Sequence, residues 1–239
     1  MRSVLAGWTR MSFIAIGLVV LGYAGVAWRW RHLLHPELGM DWLLAAIWAF
    51  MTLLLAWRIE LRRDLILVFI GLCGGAVIEW WGTTTNLWHY FTAERPPVWI
   101  LPAWPVAALT IHRMPALVGA FWPHVDRLGR GYWLVLPGFV LLMTRFGWAS
   151  AAIPSSQVVL LIMIGVTALG ARPDRDMAIF LSGALLGIFL EYWGTSRWVW
   201  VYWTRETPPL EAVLAHGFAA VAFGRAEQVA GWLLRRGSL

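Results

Sequence analysis

The sequence predicts an all-α, polytopic integral membrane protein with about eight transmembrane helices in two parallel four-helix repeats. Three observations support this fold class. Of the 239 residues, 60% are hydrophobic and 13% are charged, which is typical of membrane-embedded chains rather than soluble domains. Apolar runs long enough to cross a bilayer recur along the chain. A tryptophan-rich segment also occurs twice, once in each half of the chain.

The duplicated segment reads EWWGTTTNLWHYFTAERPP at residues 79–97 and EYWGTSRWVWVYWTRETPP at residues 191–209. The similarity extends in both directions without a gap, and 18 of the 51 positions from Arg63 to Arg113 are identical in the second copy. A repeat of this length indicates two copies of one structural unit that supply the same residues to a shared centre. The two units are predicted at residues 1–118 and 119–239.

Eight apolar segments are interpreted as helices, because backbone polar groups in lipid must find their hydrogen bonds within the segment. They lie near residues 11–28, 41–57, 65–82, 98–118, 131–149, 157–171, 177–194 and 210–233. Four spans in each repeat give both copies the same orientation. The symmetry axis is therefore expected along the membrane normal, as in other parallel repeats.

The positive charge of the chain predicts its orientation. The net charge of +6 would suggest a nucleic-acid partner for a soluble protein, but here the arginines lie in loops between apolar segments. Eleven fall at the N-terminus, after spans 2, 4 and 6, and in the C-terminal tail, and Arg113 and Arg225 within spans 4 and 8 bring the inner total to thirteen, against five in the opposite loops. The positive-inside rule then predicts cytoplasmic termini in the inner (plasma) membrane, with loops 83–97 and 195–209 outside. Lipids are the expected partners, and nucleic acid is not.

Two glutamates are the candidate catalytic residues. Span 3 has the pattern Gly71-x-x-x-Gly75-x-x-x-Glu79, and span 7 repeats it up to Glu191. Residues at this spacing share one helix face, and such glycines let helices approach closely in lipid. If the two glycine faces pack together, the glutamates share a partly buried cavity. Alternatively, each face packs within its own repeat.

The depth of the glutamates points to function. Glu79 follows Asp64, the predicted cap of span 3, by about 22 Å at roughly 1.5 Å per residue, and so lies below the outer boundary of a core about 30 Å thick. An ionisable residue at this depth is costly and is a functional candidate. We predict that at least one of the two glutamates is protonated at pH 7. The structural alternative pairs the glutamates with Arg95, Arg197, Arg205 or loop amides.

The residues after each glutamate are candidates for substrate binding. Gly-Thr is expected to end the helix, and the alternation Trp88-x-Tyr90-x-Thr92 predicts an extended stretch with its aromatic rings on one side. Aromatic faces beside a buried acid can stabilise a cation, although aromatic residues also anchor proteins at the membrane interface. The candidate substrate-binding residues are Trp81, Trp193, Trp88, Trp200, Tyr90, Tyr202, His89, Thr83 and Thr195.

The histidines differ between the two copies. His89 aligns with Val201, Trp104 with His216, and His112 with Gly224. Because no histidine is repeated, a symmetric pair of metal or haem ligands is not expected. A single asymmetric site using His89 or His216 with the glutamates stays open. Neither a metal nor a cofactor is predicted, and the neighbouring His89 favours Glu79 for the chemical role.

The motif resembles polytopic carotenoid-biosynthesis proteins, the membrane-embedded lycopene cyclases and carotenoid hydratases. The resemblance rests on Glu-x-x-Gly-Thr, an aromatic-Tyr pair in the next loop, and Pro102-Ala-Trp104-Pro105. It implies acid-initiated chemistry, in which a carboxylic acid protonates a C=C bond of a polyene and ring closure or water quenches the carbocation. Glu79 or Glu191 would then be the acid, with Trp81, Trp193, Tyr90 and Tyr202 flanking the cation.

Three functions stay open from the sequence. The first is an enzyme that uses the glutamates on a long apolar isoprenoid, carotenoid or lipid substrate. The second is a transporter or channel with a glutamate ion or proton site. The third is a structural subunit or assembly factor of a membrane complex. The lack of another mid-span carboxylate for a proton relay favours the first over the second.

Overall fold

The structure, a computed structural model, describes residues 7–33, 41–121 and 125–236. Within these ranges the chain forms eight α-helices and one two-stranded sheet, which confirms the all-α class. The helices are α1 (Arg10–Arg29), α2 (Trp42–Ala56), α3 (Leu61–Thr84), α4 (Ala103–Phe121), α5 (Tyr132–Phe146), α6 (Pro154–Ala168), α7 (Pro173–Ser196) and α8 (Leu210–Arg236). The strands are β1 (Trp88–Tyr90) and β2 (Trp200–Tyr202), and short 3-10 turns occupy Arg31–Leu33, Val98–Ile100, Val125–Gly131 and Trp148–Ser150.

The helix bounds follow the sequence repeat. The bounds of α6, α7 and β2 match those of α2, α3 and β1 when the chain is shifted so that Glu79 falls on Glu191. The helix end predicted at Gly-Thr is confirmed, because α3 ends at Thr84, directly after Gly82 and Thr83. The Thr83 hydroxyl donates a 2.6 Å hydrogen bond to the Glu79 carbonyl within the last turn.

Helices α3, α4, α7 and α8 form the centre of the molecule. A Cβ added to Gly71 would lie 3.0 Å from the Pro105 Cα atom of α4, and one added to Gly183 would lie 2.6 Å from the Gly217 Cα atom of α8. Each glycine face therefore packs within its own repeat, which is the second of the two alternatives that the sequence left open, and the two faces do not pack together. The repeats meet instead through α3 with α8 and α4 with α7.

Equivalent residues of the two repeats meet along a line that we call the repeat axis. At one end of it, β1 and β2 pair antiparallel as a β-ribbon with His89 opposite Val201. Below the ribbon, the rings of Trp104 and His216 stack with their centroids 6.1 Å apart. At the far end of the helices, Arg63 and Arg175 both approach the same oxygen of Glu227, at 3.5 and 3.9 Å.

The two central helices of the repeats run in the same direction. The C-terminal ends of α3 and α7 lead into the β-ribbon. Their N-terminal ends carry Arg63 and Arg175 and so lie near Glu227. The shared direction agrees with two repeats in parallel orientation.

Among the residues that the structure describes, three helices are long and apolar enough to cross a membrane: α1, α3 and α7. α2 and α6 are apolar but shorter. Together with the exposed apolar side chains of α1, such as Phe13, Leu18 and Leu21, these helices indicate a membrane protein.

Substituting Gly183 by alanine should destabilise the α7–α8 contact. The new methyl group would overlap the α8 backbone at Gly217, and overpacking of this kind costs about 1–3 kcal/mol. Gly165→Ala is the matched control, since a Cβ there meets nothing within 4 Å and alanine favours the helix. Thermal unfolding in one detergent should show a lower midpoint for Gly183→Ala alone, and equal midpoints would contradict this packing.

Candidate functional site

Glu79 lies in the last turns of α3 and is 4% exposed. Its carboxylate accepts hydrogen bonds from three side chains. Trp88 Nε1 donates to Oε2 at 3.1 Å, Trp104 Nε1 donates to Oε1 at 3.1 Å, and the Tyr90 hydroxyl lies 2.9–3.0 Å from both oxygens. One carboxylate thus joins α3 to the β-ribbon and to α4.

Glu191 has the same position in the second repeat and is also 4% exposed. Trp200 Nε1 donates to its Oε2 at 2.8 Å, and the Tyr202 hydroxyl lies 3.1 Å from both oxygens. The third partner differs, because His216 Nε2 lies 2.9 Å from Oε1, where the first repeat has an indole.

Glycine allows the strand tryptophans to reach the carboxylates. The Trp88 ring lies directly on Gly82, and the Trp200 ring lies directly on Gly194, so that a Cβ at either glycine would overlap the ring. Each glycine comes about one helical turn after its glutamate. The Glu-x-x-Gly spacing therefore leaves a flat space in which the indole Nε1 can point at the carboxylate.

The two carboxylate centres are neighbours across the repeat axis. Trp88 packs against Tyr202 at 5.8 Å between ring centroids, and Tyr90 packs against Trp200 at 6.0 Å. The aromatic partners of the two glutamates therefore form one cluster that belongs to both repeats.

The two strand tyrosines are held in their protonated form. Burial and then the Glu79 carboxylate raise the pKa of the Tyr90 hydroxyl well above its usual range. Burial and then the Glu191 carboxylate do the same to the pKa of Tyr202. Both phenols therefore keep their protons near neutral pH and can donate them in hydrogen bonds.

The remaining predicted site residues take other positions. Trp81 donates to Ser156 at 3.0 Å and packs edge-on against Trp88, while Trp193 Nε1 is buried with no hydrogen-bond partner in the described part of the chain. Thr195, like Thr83, donates to the carbonyl of its glutamate. These threonine hydroxyls are thus used within the helices.

His89 lies away from the carboxylates. It is exposed, whereas its neighbours Trp88 and Tyr90 are buried, because successive side chains of a strand point to opposite faces. The reason for preferring Glu79 over Glu191 is therefore wrong. The histidine that reaches a glutamate is His216, on Glu191.

The structural alternative, in which arginines pair with the two glutamates, predicted partners that differ from the observed ones. In the described ranges, the Glu79 and Glu191 side chains bind indole, phenol and imidazole groups rather than Arg95, Arg197 or Arg205. Arg197 pairs with Asp41 instead.

Sequence reasoning missed Trp104 as a donor to Glu79. The signal that marks the position is its alignment with His216, since the two residues occupy equivalent places in the repeats and each reaches the glutamate of its own repeat.

The two centres differ in proton chemistry. An indole nitrogen is a donor only and cannot take up a proton, whereas an imidazole nitrogen can donate or accept. The Glu79 centre therefore has fixed donors on both oxygens. At Glu191, the carboxyl and His216 Nε2 can share and exchange one proton, and the His216 side chain is 17% exposed.

Ion pairs join the same helices at their opposite ends. Arg113 of α4 lies 2.6 Å from Asp64 of α3, and Arg225 of α8 lies 2.6 Å from Asp176 of α7. The predicted cap positions are wrong, because Glu60 and Arg172 are the N-cap residues and the aspartates lie in the first turns of the helices. Each aspartate accepts a bond from the backbone N–H of its N-cap residue. These pairs hold α3 on α4 and α7 on α8 and so fix the height of the glutamates.

No protein-family model, curated protein or solved structure matches the chain.

The described ranges contain no group of three or more His, Cys, Asp or Glu side chains that could hold a metal ion.

Replacing each glutamate by glutamine should have unequal effects on stability. In Glu79→Gln the amide has one carbonyl oxygen for two indole donors, so one Trp N–H would face the amide NH2, at a cost of about 1–3 kcal/mol. In Glu191→Gln the amide can accept from Trp200 and donate to His216 Nε2, because an imidazole nitrogen can act as an acceptor. Thermal unfolding midpoints should therefore fall clearly for Glu79→Gln and little for Glu191→Gln.

Glu94→Gln, in the exposed loop, is the control for this pair and should leave the unfolding midpoint unchanged. A larger loss of stability for Glu191→Gln than for Glu79→Gln would contradict the assigned hydrogen bonds.

Proposed function

We propose that this chain is an integral membrane enzyme that performs acid chemistry on a long apolar isoprenoid, with a carotenoid-type polyene as the substrate class. Glu191 is the proton donor and His216 its proton partner. The observation that carries the proposal is the exchange of Trp104 for His216 between two otherwise similar centres. This exchange adds a group that can take up and release a proton beside one buried carboxyl.

The proposed reaction balances without a cofactor. The protonated Glu191 transfers its proton to a C=C bond of the polyene, which leaves a carbocation on the substrate and a carboxylate on Glu191. Ring closure followed by proton loss, or addition of water followed by proton loss, neutralises the cation. The released proton returns to Glu191 directly or through His216, so the net reaction is an isomerisation or a hydration.

The aromatic rings around the carboxyls support cationic chemistry. Trp200 and Tyr202 contact Glu191, Trp193 packs against Trp200, and Trp88 and Tyr90 cross the repeat axis towards the same centre. The faces of such rings attract positive charge without offering a nucleophile that would trap the cation. The two tyrosines stay protonated, so they too remain neutral at the site.

A structural role is the second candidate, and the Glu79 centre supports it. Its two oxygens each accept from a donor-only indole, so the carboxylate serves as a fixed junction between α3, α4 and β1. If both centres have only this role, the chain is a structural subunit or assembly factor. Transport through a glutamate proton site is the third candidate, and proton flux across vesicles would favour it over catalysis.

We extend the proposal to topology. All eight helices are assigned to spans of the inner membrane, with both termini cytoplasmic and the β-ribbon on the periplasmic side. The direction shared by α3 and α7 supports one orientation for both repeats. The arginine distribution supports the assignment of the termini to the cytoplasmic side.

The catalytic proposal is tested by expressing the full chain in membranes that contain an acyclic carotenoid such as lycopene and separating the extracted pigments. Glu191→Gln and His216→Gln should each lower product per folded protein by about a hundredfold or more, in the range usual for loss of an acid-base group. Glu79→Gln, corrected for the amount folded, should keep activity within several-fold. Absence of polyene conversion by the unaltered chain, or dependence on Glu79 alone, would overturn the proposal.

The topology is tested by reporter fusions. Alkaline phosphatase fused to the C-terminus should be inactive, because that enzyme needs the oxidising periplasm, and the same reporter inserted in loop 83–97 should be active. Green fluorescent protein fusions supply the reciprocal control. An active phosphatase at the C-terminus would refute the assigned orientation.

A further inference from the structure

A basic cavity of about 550 Å³ lies at the end of the repeat axis opposite the β-ribbon. Residues from α3, α4, α7 and α8 line it, and its charged lining consists of Arg63, Arg172, Arg175, Arg235 and Glu227. Positive side chains thus outnumber negative ones around one concave space. The volume falls in the range of small-molecule sites.

Two of these arginines, Arg63 and Arg175, lie closer together than the positive-inside rule alone would require. Arg63 and Arg175 are equivalent residues of the two repeats, yet both approach one Glu227 oxygen. Their side chains are about one-third exposed, at 33% and 34%, while Glu227 is 13% exposed. The positive-inside rule accounts for arginines in these loops, but not for their placement around one carboxylate at an axis. Arg63 also lies 3.8 Å from the exposed Glu60, so the positive excess around the cavity comes from Arg172 and Arg235 added to this group.

His112 adds a second polar group to the lining. Its Nδ1 lies 2.8 Å from the Ala108 carbonyl oxygen, so Nδ1 carries a hydrogen and donates. Its Nε2 is buried with no hydrogen-bond partner in the described ranges. Buried polar atoms are generally paired, and an exception calls for an explanation. The explanation here is packing, because Nε2 is buried against Gly224 of α8 and is not open to a ligand in the cavity.

We infer that this cavity binds a phosphate-bearing anion, separately from the chemistry proposed at Glu191. Guanidinium groups match phosphate oxygens through paired hydrogen bonds, and two arginines from opposite sides of the axis can hold one phosphate between them. Gln228, which aligns with Ala116 on the opposite wall, offers a neutral donor. The phosphate can belong to an anionic lipid headgroup or to a soluble diphosphate.

Binding is measured on the purified full chain in nanodiscs. One arm compares phosphatidylglycerol with phosphatidylcholine by native mass spectrometry, and the other titrates inorganic pyrophosphate into phosphatidylcholine discs. Binding in the first arm alone assigns a lipid headgroup, and binding in the second assigns a soluble phosphate. Arg63→Gln with Arg175→Gln should weaken the observed binding roughly tenfold or more, as expected for loss of charged hydrogen bonds.

Two further variants distinguish binding in this cavity from general attraction of an anion to the positive charge of the protein. Arg95→Gln with Arg205→Gln removes the same charge from exposed loops at the other end of the helices and should change binding less than about twofold, as solvent screens distant charges. Glu227→Gln removes the carboxylate and should tighten binding several-fold, and it tests the site even if the double arginine variant folds poorly. No binding in either arm, equal losses in both arginine pairs, or weaker binding by Glu227→Gln would overturn the inference.

Discussion

A buried carboxylate near the end of each central helix holds the rest of the structure in register. Glu79 receives donors from a strand and from the next helix, and Glu191 has partners in the same two places. A charged group in an apolar interior is stable only if it is well hydrogen-bonded. Each carboxylate therefore requires the β-ribbon to lie over its helix end, and the ribbon in turn joins the two repeats through its antiparallel pairing.

The sequence predicted the repeated parts of this arrangement well. The constant offset between the copies identified the equivalent glutamates, the Glu-x-x-Gly spacing and the aromatic strand, because these residues contact partners of their own repeat and are kept in both copies. Most helix bounds agreed to a few residues. A local pattern of this kind is readable because each contact joins residues that lie near one another in the chain.

The sequence did not predict which faces meet. The glycines at 71, 75, 183 and 187 indicated a close helix contact, but spacing along one helix carries no information about the partner. The structure gives that role to α4 and α8 of the same repeats. For His89, in contrast, the alternation Trp88-x-Tyr90 already implied a position on the opposite face of the strand, and the structure shows His89 exposed there.

The repeat axis explains why the histidines differ between the copies. A residue on the axis meets its own equivalent, so two large side chains would compete for one space. His89 faces Val201, and His112 Nε2 lies 2.8 Å from where a Cβ of Gly224 would be, so a second histidine there has no room. Trp104 and His216 share the axis by stacking. This unequal pair at the axis places an imidazole beside Glu191 and an indole beside Glu79.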